Sequence, residues 1–466
     1  IRWPAVTTDD PQVRARRKTL RRRIGLALLG TLALATMLAW LDARVALGAT
    51  PEGPRRARIE ASPQWNGERF VDAILDPPAW ETTKRWIAGA DHSVPTEPLD
   101  VVQREGGEFE PVYPGLRITW LGHSSTLVEL DGHRILLDPV WGERCSPFSF
   151  AGPRRWYPPP LALDELPPLD AVVISHDHYD HLDHPTIVAL AERGTTFVVP
   201  LGVGAHLERW GVDAEHMVEL DWWESTTRGG IELVATPARH FSGRGPGQAD
   251  QTLWAGWALL GPKHRVFYSG DTAMFPGFVE IGERLGPFHA TLIESGAYDQ
   301  AWADVHLGPE QAVQAHQMVR GELMIPVHWG LFDLALHGWT EPVERVLVAA
   351  RAAGIPVASP RPGQSIVIDP AQPIDGQTER WWPEVPWQTA AQAPVVSSGP
   401  VVTGAVVVPG SPVTSPVPTL GSGVVVLGVV VVGGVVAPVL APVEPSESPS
   451  VPSPATVGPH AAAQDT

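Results

Sequence analysis

Residues 175–181 read Ser175-His176-Asp177-His178-Tyr179-Asp180-His181, directly after the short apolar run AVVIS. Three imidazoles and the Asp180 carboxylate fall within six residues, on a loop tied to the edge of a rigid sheet. In an extended or tightly looped chain His176 and His178 share one side, while Asp180 and His181 turn to another. Two ligand pairs then stand a few ångström apart, which suits two metal ions better than one. Imidazole with carboxylate favours zinc, with iron or manganese as lesser options. Isolated histidines such as His92, His216 and His337 read instead as surface or satisfied residues.

On both sides of this loop strands and helices can be read from the pattern. LRITWLG and STLVEL alternate apolar and polar residues, and Asp131-Gly132 between STLVEL and HRILLD is a hairpin signal. AVVIS, FVVP, HMVEL, IELVATPA, TLWAGWALLG, HRVFYSG, ATLIES, ELMIPVH and SIVID read as further strands. PTIVALAERG and the segments near 203–210, 309–319 and 341–353 read as helices. Strands come first as a meander and then alternate with helices, and this happens twice. That order predicts an α/β (α+β) chain built as an αββα sandwich rather than a Rossmann-type sheet.

HxHxDH after a strand resembles the signature of the metallo-β-lactamase-fold hydrolases. The resemblance extends to His240 in TPARHFSG, Asp271 in FYSGDTAMFPG and His328 in IPVHWG. It implies that His176, His178 and His240 hold one zinc ion and that Asp180, His181 and His328 hold a second, with Asp271 bridging. Asp138, in the LLDP turn, looks like the family's structural acid and reads as support behind the ligands. A longer series of motifs narrows the family: TWLGHSSTLVELDG, LLDPVW, SHDHYDHLD, LWAGWALLGP, FPGFVEIGERLGPF, SGAYD, HLGPEQAV and PVHWGLFDLA. Together they resemble the phospholipases D that hydrolyse N-acylphosphatidylethanolamine, and their bacterial relatives. The resemblance implies a zinc phosphodiesterase that releases phosphatidic acid and an N-acylethanolamine. His306 falls on the family's active-site histidine in a His-x-x-Pro-Glu segment. Val305 stands just before it, where the mammalian enzyme has Gln, and that departure bears on headgroup contacts and substrate.

The implied chemistry uses a hydroxide held between two metals, with Asp180 both a ligand and an orienting acceptor. His306 is placed to give a proton or hydrogen bond to the phosphoryl group or the leaving oxygen. His123, in the LGHSS turn, is expected near the metals, supporting them or binding substrate. Glu310 opens a helix and reads as a partner of its N-terminal dipole. Trp222, Trp223, Trp254 and Trp257 read as core or as walls of an acyl-chain groove, and Cys145 as an inert thiol. GxSxG, a P-loop and a GxGxxG fingerprint in the right setting are all missing. Two other readings stay open: a lactonase or other small-ester hydrolase of the same fold, and a non-catalytic surface binding protein. A full seven-residue ligand set argues against the second.

The ends of the chain differ from its middle. The 466 residues carry a net charge of −18, but residues 1–60 hold 12 basic and 5 acidic residues, a net of +7, which leaves −25 for the rest. So acidic a body repels phosphates and disfavours a nucleic-acid partner. The single cysteine excludes an intramolecular disulfide and any zinc module needing two thiolates. Seven basic residues from Arg14 to Arg23 precede the uncharged run IGLALLGTLALATMLAWL at 24–41. That run is about the minimum for one helical span of a ~30 Å hydrocarbon core. Its basic flank predicts a cytoplasmic N-terminus and an exported body, at the periplasmic or extracellular face. Small residues at Ala46, Gly48 and Ala49 leave room for signal-peptidase cleavage instead. The expected organisation is a leader with an anchor or signal (1–60), an irregular lead-in packing on the next domain (61–115), a catalytic domain (116–370) and a Val/Pro/Gly-rich tail (371–466). The tail is uncharged over 391–443 and expected to lack order. The expected partners are a membrane, through the N-terminal segment, and a phospholipid or small-molecule substrate.

Overall fold

The structure, a computed structural model, describes residues 11–70, 80–369 and 379–397. One sheet takes β1 (Leu116–Gly122), β2 (Ser125–Leu130), β3 (His133–Leu137), β4 (Ala171–Val173), β5 (Phe197–Pro200) and β6 (Met217–Leu220). The other takes β7 (Ser225–Arg228), β8 (Ile231–Thr236), β9 (Gly256–Leu260), β10 (Arg265–Tyr268), β11 (Phe288–Glu294) and β12 (Gly321–Val327). A last strand, β13 (Ser365–Ile368), returns to pair with β1, so the orders are β13-β1-β2-β3-β4-β5-β6 and β12-β11-β10-β9-β8-β7. The hairpin at Asp131-Gly132 forms as the dipeptide predicts, with φ of 51° and 87°. Two successive left-handed residues match the twist of the flanking strands.

Helices α1 (Pro11–Ala43), α2 (Gly53–Glu60) and α3 (Trp80–Ala88) precede the sheets. α4 (His184–Ala191) and α5 (Gly204–Arg209) follow within the first half, and α6 (Gly277–Leu285), α7 (Pro309–Met318) and α8 (Glu341–Ala353) within the second. Between the sheets lies a core that includes Ile118, Val128, Ile135 and Val173 from one side and Leu233, Trp257, Tyr268, Leu292 and Ile325 from the other. The outer face of the first sheet packs Leu127, Leu136, Val172 and Phe197 on Ile187, Leu190 and Leu207. Phe267, Ile293 and Met324 of the second pack on Phe278, Ile281, Val313 and Val346. This is the expected αββα sandwich.

Pairing direction decides where the site lies. β2 is antiparallel to β1 and β3, and β3 is parallel to β4. β9 is antiparallel to β8 and β10, while β10, β11 and β12 run parallel. The C-terminal ends of β1, β3 and β4 therefore share one sheet edge, and those of β8, β10, β11 and β12 share another. His328 N donates to His123 O at 3.1 Å and Ala255 N to Ser175 O at 2.9 Å, joining the two edges.

Some expectations need revision. β7, with the sequence STTR, is polar and half exposed, so it gives no strand pattern. α6 is a helix inside FPGFVEIGERLGPF, which reads as a motif but not as an element. Trp254 and Trp257 are buried and donate their indole N–H to Ala238 O and Ile174 O, so they are core and not groove. Glu310 lies in the first turn of α7, as expected, and in addition braces α7 to α8 through guanidinium nitrogens Nε and Nη2 of Arg345, at 3.0 and 2.7 Å. His337 is half-buried, stacked on Tyr298 and hydrogen-bonded through Nδ1 to Gly338 O, within the expectation of a surface or satisfied residue.

The expected loss of order after residue 370 is also corrected. Residues 379–397 pack on the domain: Trp382 is 3% exposed, beside Trp329, and donates to Glu344 Oε1 at 2.9 Å. Gln388 N reaches Glu341 Oε2, and Ala393 O accepts from Arg345. The tryptophans cover an apolar face that the sheets leave open, a long-range need that local composition does not reveal. Residues 371–378 and 398–466, with most of the low-complexity tail, lie outside the described residues. Within the lead-in, which includes α3, Phe109 is fully buried and Val102 N donates to Pro362 O. Replacing Trp382 by Ala removes a fully packed indole and should cost about 3–5 kcal/mol. Urea unfolding measures it, and a loss below about 1 kcal/mol would place Trp382 outside the core.

Candidate metal centre

The loop after β4 is shaped by Asp177, which lies between two of the predicted ligands. Its Oδ1 accepts Gly243 N at 2.7 Å, and its Oδ2 accepts Thr252 Oγ1 at 2.9 Å and His206 Nε2 at 3.2 Å. Buried Arg244 donates from Nη1 to Asp177 O at 2.5 Å and to Leu182 O at 2.9 Å, gripping both ends of the loop. His181 N and Leu182 N donate back to His178 O, a tight turn that swings His181 away from His178. The two pairs expected from the sequence are thereby separated.

The turn brings all seven predicted ligands together. His176, His178 and His240 form one group of ligand atoms, and Asp180, His181 and His328 form another with His123; within each group these atoms lie within 4.8 Å of one another. Asp271 Oδ2 faces both groups: it is 3.7 and 3.8 Å from Nε2 of His176 and His240, and 3.1 and 3.0 Å from Nε2 of His181 and His328. Asp271 Oδ1 is buried here with no hydrogen-bond partner, and His181 Nε2 has only the carboxylate oxygens of Asp271 and Asp180 beside it, at 3.1 and 3.4 Å. Such an orphan costs about 1–3 kcal/mol unless something else satisfies it. Imidazoles and carboxylates aimed at one small space, with an orphaned atom among them, fit divalent metal ions.

Behind the ligands stands a set of acceptors that fixes each ring. His181 Nδ1 donates to Asp138 Oδ2 at 2.6 Å, and His240 Nδ1 to Val305 O at 2.8 Å. Ser175 Oγ gives its proton to Asp138 Oδ2 and so accepts from His176 Nδ1 at 2.9 Å. His176, His181 and His240 therefore present Nε2 inward, the usual way outer partners set ligand tautomers. His178 differs, turning Nδ1 toward Nε2 of His176 and His240. Asp138 has the supporting place expected of it, and its backbone, at φ 37°, is held in a left-handed conformation that non-glycine residues rarely adopt.

Charge in this space is divided. Burial raises the pKa of a carboxyl group, but neighbouring histidines outweigh it and hold Asp180 and Asp271 well below the usual range. Burial and like-charged neighbours push His176 and His240 well down, despite Asp271. Burial also opposes charge on His181 and His328. There Asp271 and Asp180 prevail, lifting His181 well above its ordinary value and His328 to about 10. Protons on His181 and His328 and divalent cations are thus alternative partners for the same two carboxylates.

His306 and His123 flank the cluster in different ways. His306 pairs its Nδ1 with Glu294 Oε2 at 2.8 Å and stacks on His328 at 5.2 Å, with His240 at 5.1 Å on its other side. It is partly exposed, with 13% of its side chain open. His123 is buried, donates from Nε2 to Asp180 Oδ2 at 2.9 Å and has its pKa lowered to about 4, chiefly by burial. A cleft beside it is lined by Trp156, His328, Phe332, His337 and Trp339. Glu294 escapes sequence reasoning. It ends the apolar strand ATLIES, fully buried, and accepts Thr272 N and Leu307 N as well as His306. A lone acid at the C-terminal end of an apolar strand is the signal that marks it.

Residues 133–329 match the beta-lactamase superfamily domain. An uncharacterized protein of Mycobacterium bovis is 45% identical over 385 residues, which span 78% of this chain and 99% of the relative. The N-acyl-phosphatidylethanolamine-hydrolyzing phospholipase D 1 of Caenorhabditis elegans is 40% identical over 47% of this chain and 65% of its own length. The mitochondrial N-acyl-phosphatidylethanolamine-hydrolyzing phospholipase D of Saccharomyces cerevisiae is 30% identical over 55% of each chain.

Metal entry should release protons. His181 and His328 have raised pKa values, so both are protonated at neutral pH in the metal-free protein. A metal must displace those protons, so its affinity rises with pH through neutrality. Calorimetric titration with zinc at pH 7, in buffers of different ionisation enthalpy, should show about two protons released in all, from the group of His181 and His328 and not from His176, His178 and His240, which are kept neutral. Binding without proton release would contradict this charge balance.

Proposed function

This chain belongs to the metallo-β-lactamase-fold superfamily of metal-dependent hydrolases, and we propose that it cleaves the phosphodiester of an N-acylphosphatidylethanolamine-like lipid with two zinc ions. What carries the reading is Asp271, whose single Oδ2 faces histidines of both ligand groups and so suits a pair of metals. His176, His178 and His240 would hold one ion, Asp180, His181 and His328 the other. When bound, such a pair supplies an activated water at neutral pH and offsets charge on phosphoryl oxygens.

The chain's own residues do the rest. His123 keeps Asp180 oriented, and Asp138, Ser175 and Val305 O keep the ring faces fixed. Glu294 holds His306 by Nδ1, leaving Nε2 as the nitrogen for the substrate. Backed by that buried carboxylate, His306 is placed to keep a proton at Nε2 and pass it to the departing oxygen, or to hold the phosphoryl group. The lipid assignment draws on the two relatives named as phospholipases D and on α1, a 33-residue helix whose apolar half is not packed in the protein. In this reading α1 anchors the enzyme beside its substrate, with the catalytic domain on the exported face.

Purified full-length protein, in detergent micelles containing N-acylphosphatidylethanolamine, should release phosphatidic acid and lose that activity on chelation. Turnover of a lactone panel with none of the lipid would replace the lipid reading by a small-ester one; turnover of neither would leave a binding protein. His306→Ala should lower kcat by about 10²–10⁴ with zinc content unchanged. An unaltered kcat would remove His306 from the reaction.

A further inference from the structure

Residues 44–51 join α1 to α2 and lie against His206, Trp210 and Arg244, two of which in turn hold the loop after β4. Val45 O accepts Trp210 Nε1 at 2.8 Å, and Ala46 O accepts Arg244 Nε at 2.9 Å. Ala49 N donates to His206 Nδ1 at 3.0 Å. Leu47 lies so near Gly245 that a Cβ there would approach its Cδ2 to 2.8 Å. Gly48, at φ 70°, comes so close to His206 that a Cβ would lie 2.0 Å from its Nδ1. Only glycine fits both the conformation and the space.

Each of these contacts leads to the same place. By accepting from Ala49, His206 Nδ1 carries no proton, so the ring must donate from Nε2 to Asp177 Oδ2. Asp177 is the residue between His176 and His178. Arg244, held at Nε by Ala46 O, grips Asp177 O and Leu182 O with Nη1. Two hydrogen-bonded paths thus run from residues 46–49 to the backbone that carries four metal ligands. His206 and Arg244, the side chains that carry the two paths, are both buried.

We propose that residues 44–51 form a strap that positions the metal-binding loop, so that metal affinity depends on the segment that follows the apolar helix α1. His206 and Arg244 are positioning residues that contact no metal. The stretch Ala46–Ala49, which reads as a signal-peptidase junction, is in this view a working part of the metal site. Cutting there would release its hold on the loop.

The proposal rests on the two-metal reading, and one titration keeps the two apart. Zinc affinity of the full chain in detergent micelles is measured by competition with a chromophoric chelator, alongside near-ultraviolet circular dichroism of the metal-free protein. Failure of the unmodified chain to bind two zinc ions would defeat the metal reading itself. Given that binding, His206→Leu, which cuts the path to Asp177, should weaken zinc about tenfold, within the range seen for outer partners of ligands. His206→Gln, which can still accept from Ala49 N and donate to Asp177, should restore most of it. Gly48→Ala, which displaces the strap, should weaken zinc as His206→Leu does. Affinities within twofold of the unmodified chain in His206→Leu, or no rescue by His206→Gln, would overturn the strap. So would a folded Gly48→Ala with unaltered affinity. Should Gly48→Ala fail to fold, the two His206 variants decide alone.

Discussion

Asp180 and Asp271 are two carboxylates enclosed in the same small space, and an isolated carboxylate there would be too costly to remain charged. Each must be met by positive charge from close by, and no lysine or arginine is among the groups closest to them. The surrounding histidines are the source, and they do not behave alike. Those nearest both carboxylates, His181 and His328, take up charge, whereas His176 and His240 are kept neutral. The interior is stable as a protonated cluster and equally prepared to give those protons up to cations. A site so balanced holds metal without needing much rearrangement.

The rest of the fold can be read as the means of bringing those groups together. The strand directions put the C-terminal ends of β4, β8, β10 and β12 on the sheet edges from which the predicted ligands project. The edges are then joined by backbone, with His328 N on His123 O and Ala255 N on Ser175 O. His123, Asp138 and His328 all carry positive φ, at 53°, 37° and 65°. Such backbone costs on the order of 1–3 kcal/mol per residue and persists only where the surroundings impose it. Here the hydrogen bonds on each of the three side chains impose it, aiming them at the cluster rather than along their strands.

The candidate metal site was legible because its chemistry is concentrated. Four of the predicted ligands occupy six residues, and the other three follow strands whose apolar pattern is plain. Glu294 was less so, since a single acid after ATLI is a weak mark on its own; only the fold shows that it stands behind His306. β7 lacks apolar alternation because its residues are half exposed, and Trp381-Trp382 sit in a segment whose composition points away from structure. For the tryptophans the deciding interaction is a long-range one, whereas β7 is set locally, by a hairpin to β8 through Gly229-Gly230. Val305 shows a subtler limit. Its side chain departs from the family pattern, but its carbonyl is what orients His240, a task any residue can do.

The same distinction bears on the leader. From sequence, a basic run, an apolar stretch and small residues are the marks of a device that delivers a chain to a membrane, and nothing in them speaks of catalysis. In three dimensions the small residues serve close approach: Gly48 lets the backbone lie on His206, and Ala49 offers it an N–H. Small size is what a signal peptidase would require and also what tight packing requires, so the sequence pattern cannot separate the two. The ring of His206 ties the segment to the candidate site: it has one nitrogen on Ala49 N and the other on Asp177, between His176 and His178, so the segment after α1 and the candidate site share a single side chain.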